Sequence, residues 1–300
     1  MTFCLGAANF GSKYGISSSK KISKLNSSKL INYFLKKKYN YIDTAEAYKG
    51  SNSHILQCLK RINLKEKKNI NIITKVNYKF KKKNDYLIRR AKFNLSYFKI
   101  NRLYGYLLHN LNFDRSKKNL KMINEQFKII KKKKYSKKTG ISVYSLKDFY
   151  FFQKNIPEIN LVQCPTNIFD RRFLNKKFIN FCKKNKIEIH YRSLFLQGLL
   201  MTKKIPTSIK SKKIINLLES YKKYLDKNNF SSAEIIFKFI QLNFDKNIKW
   251  VLGFENLSQT RIFFDIFNKR NSKKFKKIKL DYLYLKKKYI DTRNWKCISF

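Results

Sequence analysis

Short apolar runs alternate along this chain with longer stretches in which apolar residues recur every three or four positions and lysines fill the remaining face. The short runs are FCLGAA (3–8), YNYID (39–43), NIITKV (71–76), RLYGYLLH (102–109), TGISV (139–143), NLVQCPT (160–166), IEIHYRS (187–193) and KWVLGF (249–254). They are close to continuously apolar, as strands covered on both faces must be. Between them lie stretches of helical periodicity such as SSKLINYFLKKK, NDYLIRRAKFNLSYFK, KNLKMINEQFKIIKKKK, NKKFINFCKKN and SSAEIIFKFIQLN. Eight strands each followed by a helix call for a parallel sheet with right-handed crossovers, and eight such units close into a (β/α)8 barrel of the α/β class. An open doubly wound sheet is the main alternative. It favours a Gly-rich phosphate loop after the first strand, and LGAANFGSKYG lacks the G-x-G-x-x-G spacing. The segment between 206 and 245 predicts two helices before the last strand, and KLDYLYLKKKYI predicts a further helix or a lid. Three prolines and eight glycines leave no flexible linker, so residues 1–300 read as one domain, with 275–300 as a C-terminal extension.

Composition changes this picture in one respect, charge. The chain has 69 Lys+Arg against 18 Asp+Glu, a formal net charge of +51. Clustered cations neutralise the phosphates of nucleic acids or anionic membranes. Here lysine supplies most of the charge, rises together with Asn, Ile, Phe and Tyr, and is spread over nearly every predicted helix. That is the mark of AT-rich codon use, whereas a nucleic-acid protein more often shows a recognisable module or an Arg-rich stripe. The expectation is no specific nucleic-acid partner, together with an attraction for anionic small molecules. The five cysteines are odd in number and form no CxxC, as expected of reduced thiols in a cytosolic protein. Nothing resembles a secretion signal or a bilayer-spanning run, so a cytoplasmic protein without membrane contact is expected. His54 and His190 lack acidic or cysteine partners at ligand spacing, and no metal site is expected.

Candidate chemistry sits at the ends of strands. Asp43 ends YNYID, Tyr48 follows in DTAEAY, Lys75 ends NIITK, and His109 ends RLYGYLLH. In a barrel these positions are neighbours around the C-terminal rim, where catalytic groups gather. A phenol is a poor acid at neutral pH because its reference pKa is about 10, and a nearby ammonium lowers it. Lys75 is therefore expected to make Tyr48 more acidic, Asp43 to hold Lys75 charged and aimed, and His109 to orient a carbonyl oxygen. Singly, each residue has a plainer role: a helix cap for Asp43, a surface ring for Tyr48, one lysine among many, a strand-end imidazole. Jointly they match what carbonyl reduction needs, a proton for oxygen as hydride reaches carbon.

With these residues the chain resembles the aldo-keto reductase family. YIDTAEAY (41–48) is similar to the family's signature, ITKV (73–76) to its lysine segment and LLHN (107–110) to its histidine segment. GISVYS (140–145), LVQCPTN (161–167), SLFLQGLL (193–200) and VLGFENLSQ (251–259) resemble later motifs. The FLQGLL form is similar to a bacterial branch often associated with sugar or cell-surface polysaccharide metabolism. The resemblance implies a TIM barrel and a nicotinamide cofactor, NADPH by family default with NADH open. It implies reduction of a small aldehyde or ketone, with Tyr48 as general acid and Asp43, Lys75 and His109 as its partners. It carries Ser142 and Gln163 over as ligands of the nicotinamide carboxamide, and Arg192, Ser193, Gly253, Asn256 and Gln259 as further cofactor contacts.

The chain departs from the family pattern in several places. Strand one begins almost at Met1, so the usual N-terminal hairpin is expected to be short or missing. Val143 stands where an Asn is usual. Arg192 replaces an aromatic that commonly stacks on the nicotinamide. In the last loop Glu255 would repel a 2′-phosphate that it faced. These departures also suit a non-catalytic, nucleotide-binding barrel that acts as a sensor or scaffold, the main alternative. A nucleic-acid-binding protein is the second alternative, on charge alone.

Overall fold

Alternation of near-continuous apolar strands with lysine-edged helices produces a closed barrel. In the computed structural model, described for residues 1–16, 21–78, 85–202, 204–268, 275, 278 and 280, the strands are β1 (Thr2–Gly6), β2 (Tyr41–Asp43), β3 (Asn71–Val76), β4 (Leu103–Leu108), β5 (Ser136–Ser142), β6 (Leu161–Pro165), β7 (Glu188–Arg192) and β8 (Ile248–Leu252). All run parallel, each hydrogen-bonded to the next, and β8 pairs back onto β1. Around them lie α1 (Lys24–Lys36), α2 (Ser51–Arg61), α3 (Leu64–Lys68), α4 (Tyr86–Phe98), α5 (Lys117–Lys132), α6 (Leu146–Asn155), α7 (Lys176–Lys184), α8 (Lys212–Lys227), α9 (Ser232–Leu242) and α10 (Leu257–Asn268). The two helices expected between 206 and 245 are α8 and α9. The helix or lid expected beyond 275 lies outside the described residues, apart from Phe275, Ile278 and Leu280. The Phe-rich stripe of α6 is packing: Phe149 and Phe152 are fully buried, Phe149 against Phe178 and Phe181 of α7 and Phe152 against Phe113.

Helix starts follow familiar chemistry. Ser23, Ser116 and Ser145 each accept a backbone N–H at the first turn of α1, α5 and α6, and Ser231 with Glu234 forms a capping box on α9. Helix ends are less orthodox. After α1, α4, α5 and α7 the residue with left-handed backbone is lysine: Lys38 (φ 63°), Lys99 (φ 53°), Lys134 (φ 58°) and Lys186 (φ 54°). In each case the next residue donates its N–H to the carbonyl five positions back, as Ile100 does to Leu95 and Tyr135 to Ile130. This closing motif ordinarily uses glycine, because a Cβ is strained there. The lysine-rich, glycine-poor composition thus carries a backbone cost. Replacing Lys99 and Lys134 by glycine is expected to stabilise the fold by about 0.5–1 kcal/mol each, read as a higher urea midpoint at unchanged slope. A lower midpoint for both would contradict this account.

Alternation along each strand sends one set of side chains outward against the helices and the other into the lumen. Around the floor of the lumen, Glu188 accepts from Tyr104 Oη at 2.7 Å and pairs with His190 Nε2 at 2.6 Å and Lys249 Nζ at 2.9 Å. Burial alone would raise the Glu188 carboxyl, but His190, Lys249 and Lys138 together hold it well below the usual carboxylate range. Above that polar floor, Cys4, Ile73, Leu107, Leu161 and Val251 pack as an apolar plug. Gly140 sits where a Cβ would run into the Leu161 carbonyl of the neighbouring strand, so glycine is required for β5 and β6 to approach. The plug closes the lumen from below and leaves the C-terminal end as the open end.

Candidate active site

The uppermost lumen positions are polar. The strand ends bring Asp43, Lys75, Ser142, Gln163 and Arg192 to the C-terminal rim, with His109 one residue past β4. Lys75 is 1% exposed, and its Nζ donates to Asp43 Oδ2 at 2.7 Å and to the Thr44 carbonyl at 2.8 Å. The other oxygen of Asp43 accepts from Gln163 Nε2 at 2.7 Å. The carboxylate is thereby held from two sides, by one charge-assisted and one neutral donor.

Tyr48 lies in the turn after β2. That turn is pinned by Glu46 N–H on the Lys75 carbonyl, 2.9 Å, and by the Thr44 hydroxyl against Ser51 and Asn52, 2.8 Å each. The Glu46 side chain is in turn gripped by Arg90 through two nitrogens and by Asn94 Nδ2 at 2.6 Å, both from α4. The Tyr48 ring meets His109 edge-on, centroids 5.6 Å apart at 87°, and Lys75 Nζ stands 5.1 Å from its centroid. Four residues spread over 67 positions of sequence therefore share one small volume. The Glu46–Arg90–Asn94 clamp was not legible in the sequence beyond the presence of Glu46 inside the YIDTAEAY stretch.

One electrostatic expectation is corrected. Tyr48 is not more acidic than an ordinary phenol: burial raises its pKa first, the Asp43 charge adds to this, and Arg192 rather than Lys75 opposes it. The reason is geometric. Lys75 spends its charge on Asp43 and meets the ring of Tyr48 (5.1 Å to the centroid). The phenol is fully protonated at neutral pH. His109 moves the other way: burial, then the charges of Lys75 and Arg192, lower its pKa to about 3. A group depressed on folding contributes stability above its unfolded pKa of about 6.5 that is lost as pH falls through the folded value. His109 is thus a neutral imidazole throughout the physiological range. Its ring is expected to stay neutral at pH 5 by imidazole 15N chemical shift, and a midpoint near 6.5 would contradict the geometry.

Two cavities open at this end of the barrel. The larger, about 520 Å³, is lined by Tyr48, His109, Ser142, Tyr144, Gln163 and Arg192 among others. The smaller, about 280 Å³, runs past Asn9, Ser193, Gln197, Gly253, Glu255 and Gln259. Tyr14, Tyr48, Arg192, Ser193 and Gln197 border both. The loop after β7 carries left-handed backbone at Ser193 (φ 65°) and at three consecutive residues, Leu196, Gln197 and Gly198. It is tied to the loop after β1 by Ile16 N–H on the Gln197 carbonyl at 3.0 Å, and a side chain at Gly15 would strike that same carbonyl. Backbone strain of this kind collects where ligands are held.

A nicotinamide dinucleotide fits the residues present. Among the described residues, Gln163 Oε1 and Asn9 Oδ1 are buried acceptors without a hydrogen-bond partner in walls of the two cavities, one beside Asp43 and one beside the last loop. Gln163 thus keeps an oxygen free for an amide N–H while its nitrogen serves Asp43. Ser142 lines the larger cavity, Gly253 and Gln259 the smaller, and Arg192 and Ser193 both. Asn256 stands apart from the other candidate contacts. It lines neither cavity and caps α10, accepting from Gln259 N–H at 2.9 Å. The guanidinium of Arg192 lies against a ring, that of the protein's own Tyr144, 4.2 Å from its centroid.

The model of the aldo/keto reductase family matches residues 2–279. The chain belongs to that family. Aldo-keto reductases of known structure share its fold: the thermostable aldo-keto reductase Tm1743, solved with the inhibitor epalrestat, is 19% identical with a TM-score of 0.67 over 94% of each chain. The aldo-keto reductase AKR11C1 from Bacillus halodurans, solved in its holo form, is 15% identical with a TM-score of 0.71, over 96% of this chain and 95% of that one. No curated protein matches the sequence. Family membership makes this an oxidoreductase of the NAD(P)H-dependent, carbonyl-reducing kind, acting on small molecules. No helix among the described residues of this aldo/keto reductase is long and apolar enough to cross a membrane.

Proposed function

We propose that the protein reduces the carbonyl of a small aldehyde or ketone, with Tyr48 as proton donor and Asp43, Lys75 and His109 as its supporting groups. The observation that carries this reading is the packing of the Tyr48 ring between His109 and Lys75, with Lys75 locked on Asp43, in the wall of a cavity large enough for a small substrate. A bound nicotinamide supplies the hydride. Tyr48 holds its proton until negative charge grows on the substrate oxygen, and an alkoxide is a strong enough base to take it even from a phenol of raised pKa. Neutral His109 can donate a hydrogen bond to the same oxygen and fix its direction. Asp43, held by Gln163, keeps the Lys75 ammonium in place against the Tyr48 ring.

Gln163 and Ser142 are the proposed contacts of the carboxamide, and Ser193, Gly253 and Gln259 line the path for the rest of the dinucleotide. Glu255 lines the same smaller cavity, and Gln259 Nε2 donates to it at 3.4 Å. A carboxylate in that wall disfavours a 2′-phosphate, so NADH is expected to bind at least as tightly as NADPH. Fluorescence titration with both nucleotides, followed by nucleotide oxidation over a panel of aldehydes, ketones and keto-sugars, tests the reading. Binding of either nucleotide with turnover of at least one carbonyl is expected. Binding without any turnover would replace the reading by that of a nucleotide sensor.

A further inference from the structure

Arg192 stands in the wall between the two cavities with most of its hydrogen-bonding capacity unused. A guanidinium carries five N–H donors and stays charged at every pH a protein survives. On Arg192, Nη1 donates to Ser193 Oγ at 3.2 Å, and Cζ stands 4.2 Å from the centroid of the Tyr144 ring. No carboxylate lies within salt-bridge distance of it among the described residues. The contrast with its neighbour is direct. Arg172, the other guanidinium of the larger cavity, is paired with Asp170 at 2.8 Å.

We propose that the substrate of this site carries a carboxylate or phosphate near its carbonyl, and that Arg192 binds this oxyanion. The inference rests on the reading of the site as a carbonyl-reducing one. A partly buried cation without a counter-ion gives up hydration that Ser193 and Tyr144 replace only in part until an anion arrives. The planar fork matches the two oxygens of a carboxylate or phosphate, and its contacts with Ser193 and Tyr144 reduce the freedom lost on binding. Tyr48 and His109 line the same cavity as Arg192, which lets one small molecule place its anion on the guanidinium and its carbonyl against the phenol. The rest of the lining agrees in sign: Lys13 and Lys49 add two exposed cations, and the only carboxylate in it among the described residues, Asp170, is already held by Arg172. These lysines draw anions toward the opening in a salt-dependent way.

Matched substrate pairs test this: succinic semialdehyde against butanal for a carboxylate, and glyceraldehyde 3-phosphate against glyceraldehyde for a phosphate. The anionic member of at least one pair is expected to show a kcat/KM about tenfold or more higher at low salt, and the pair that shows it identifies which anion is used. In Arg192→Met the preference is expected to vanish, with Arg192→Lys intermediate and both folds checked by circular dichroism. Equal rates within both pairs, or a preference that survives Arg192→Met, would overturn the proposal. So would a loss of nucleotide affinity in Arg192→Met with the substrate preference unchanged, which assigns the guanidinium to the cofactor diphosphate. If no carbonyl is turned over, calorimetric titration of the NADPH-saturated protein with succinate and with inorganic phosphate decides separately. Binding that Arg192→Met abolishes upholds the anion site while the reaction assignment falls, and absence of binding overturns the anion site too.

Discussion

Replacing Tyr48 by phenylalanine is expected to remove carbonyl reduction while leaving the nucleotide bound. Both ring contacts of Tyr48, the edge-on meeting with His109 and the approach of Lys75 Nζ to the ring, involve carbon atoms that phenylalanine retains. The substitution therefore deletes a hydroxyl without collapsing the pocket, and stability should change by no more than about 1 kcal/mol. What disappears is the phenolic proton beside His109. Loss of a positioned general acid costs typically 10²–10⁴ in rate, so kcat should fall about a thousandfold in single-turnover experiments with nucleotide Kd nearly unchanged. Turnover within a few-fold of the parent would mean that another group protonates the substrate.

Lys75→Met is expected to damage both fold and activity. The ammonium is almost completely buried and makes two hydrogen bonds, and its removal strands the Asp43 carboxylate, 4% exposed, with Gln163 as its remaining donor. Breaking a buried pair in this way costs about 3–5 kcal/mol. The double variant Asp43→Asn, Lys75→Met should be more stable than Lys75→Met alone, because no buried charge is then left unpaired. Urea midpoints of the parent, both single variants and the double variant check this. A loss below about 1 kcal/mol in Lys75→Met would show that water reaches Asp43 and solvates it. Activity should not return in the double variant, since the ammonium that packs against the Tyr48 ring is absent from it.

Much of the barrel was legible before any coordinates. The NIITKV run is β3 residue for residue, and the other expected strands fall within a few positions of the observed ones. Helices with long apolar periodicity, α4 and α5, were equally plain. Short-range signals failed at the helix ends. Nothing in the periodicity says that Lys38, Lys99, Lys134 and Lys186 adopt left-handed backbone, because lysine is a poor choice there and the composition supplies few glycines. Of the candidate cofactor contacts, Asn256 reads in the sequence as one more polar residue of the last loop, and its use as the cap of α10 shows only in three dimensions.

Local periodicity and residue type determined the order of strands and helices, the parallel closed sheet, and the set of polar residues facing inward at the rim, since inward and outward positions alternate strictly along a strand. Which of those polar atoms meet was decided only by tertiary structure. The bond of Gln163 to Asp43 spans 120 positions of sequence and the grip of Asn94 on Glu46 spans 48. So too was the direction in which the Tyr48 phenol shifts, because burial and the neutralisation of Lys75 by Asp43 depend on where barrel closure and strand stagger place each charge. Periodicity is a property of neighbours along the chain, whereas a pKa and a hydrogen bond are properties of neighbours in space.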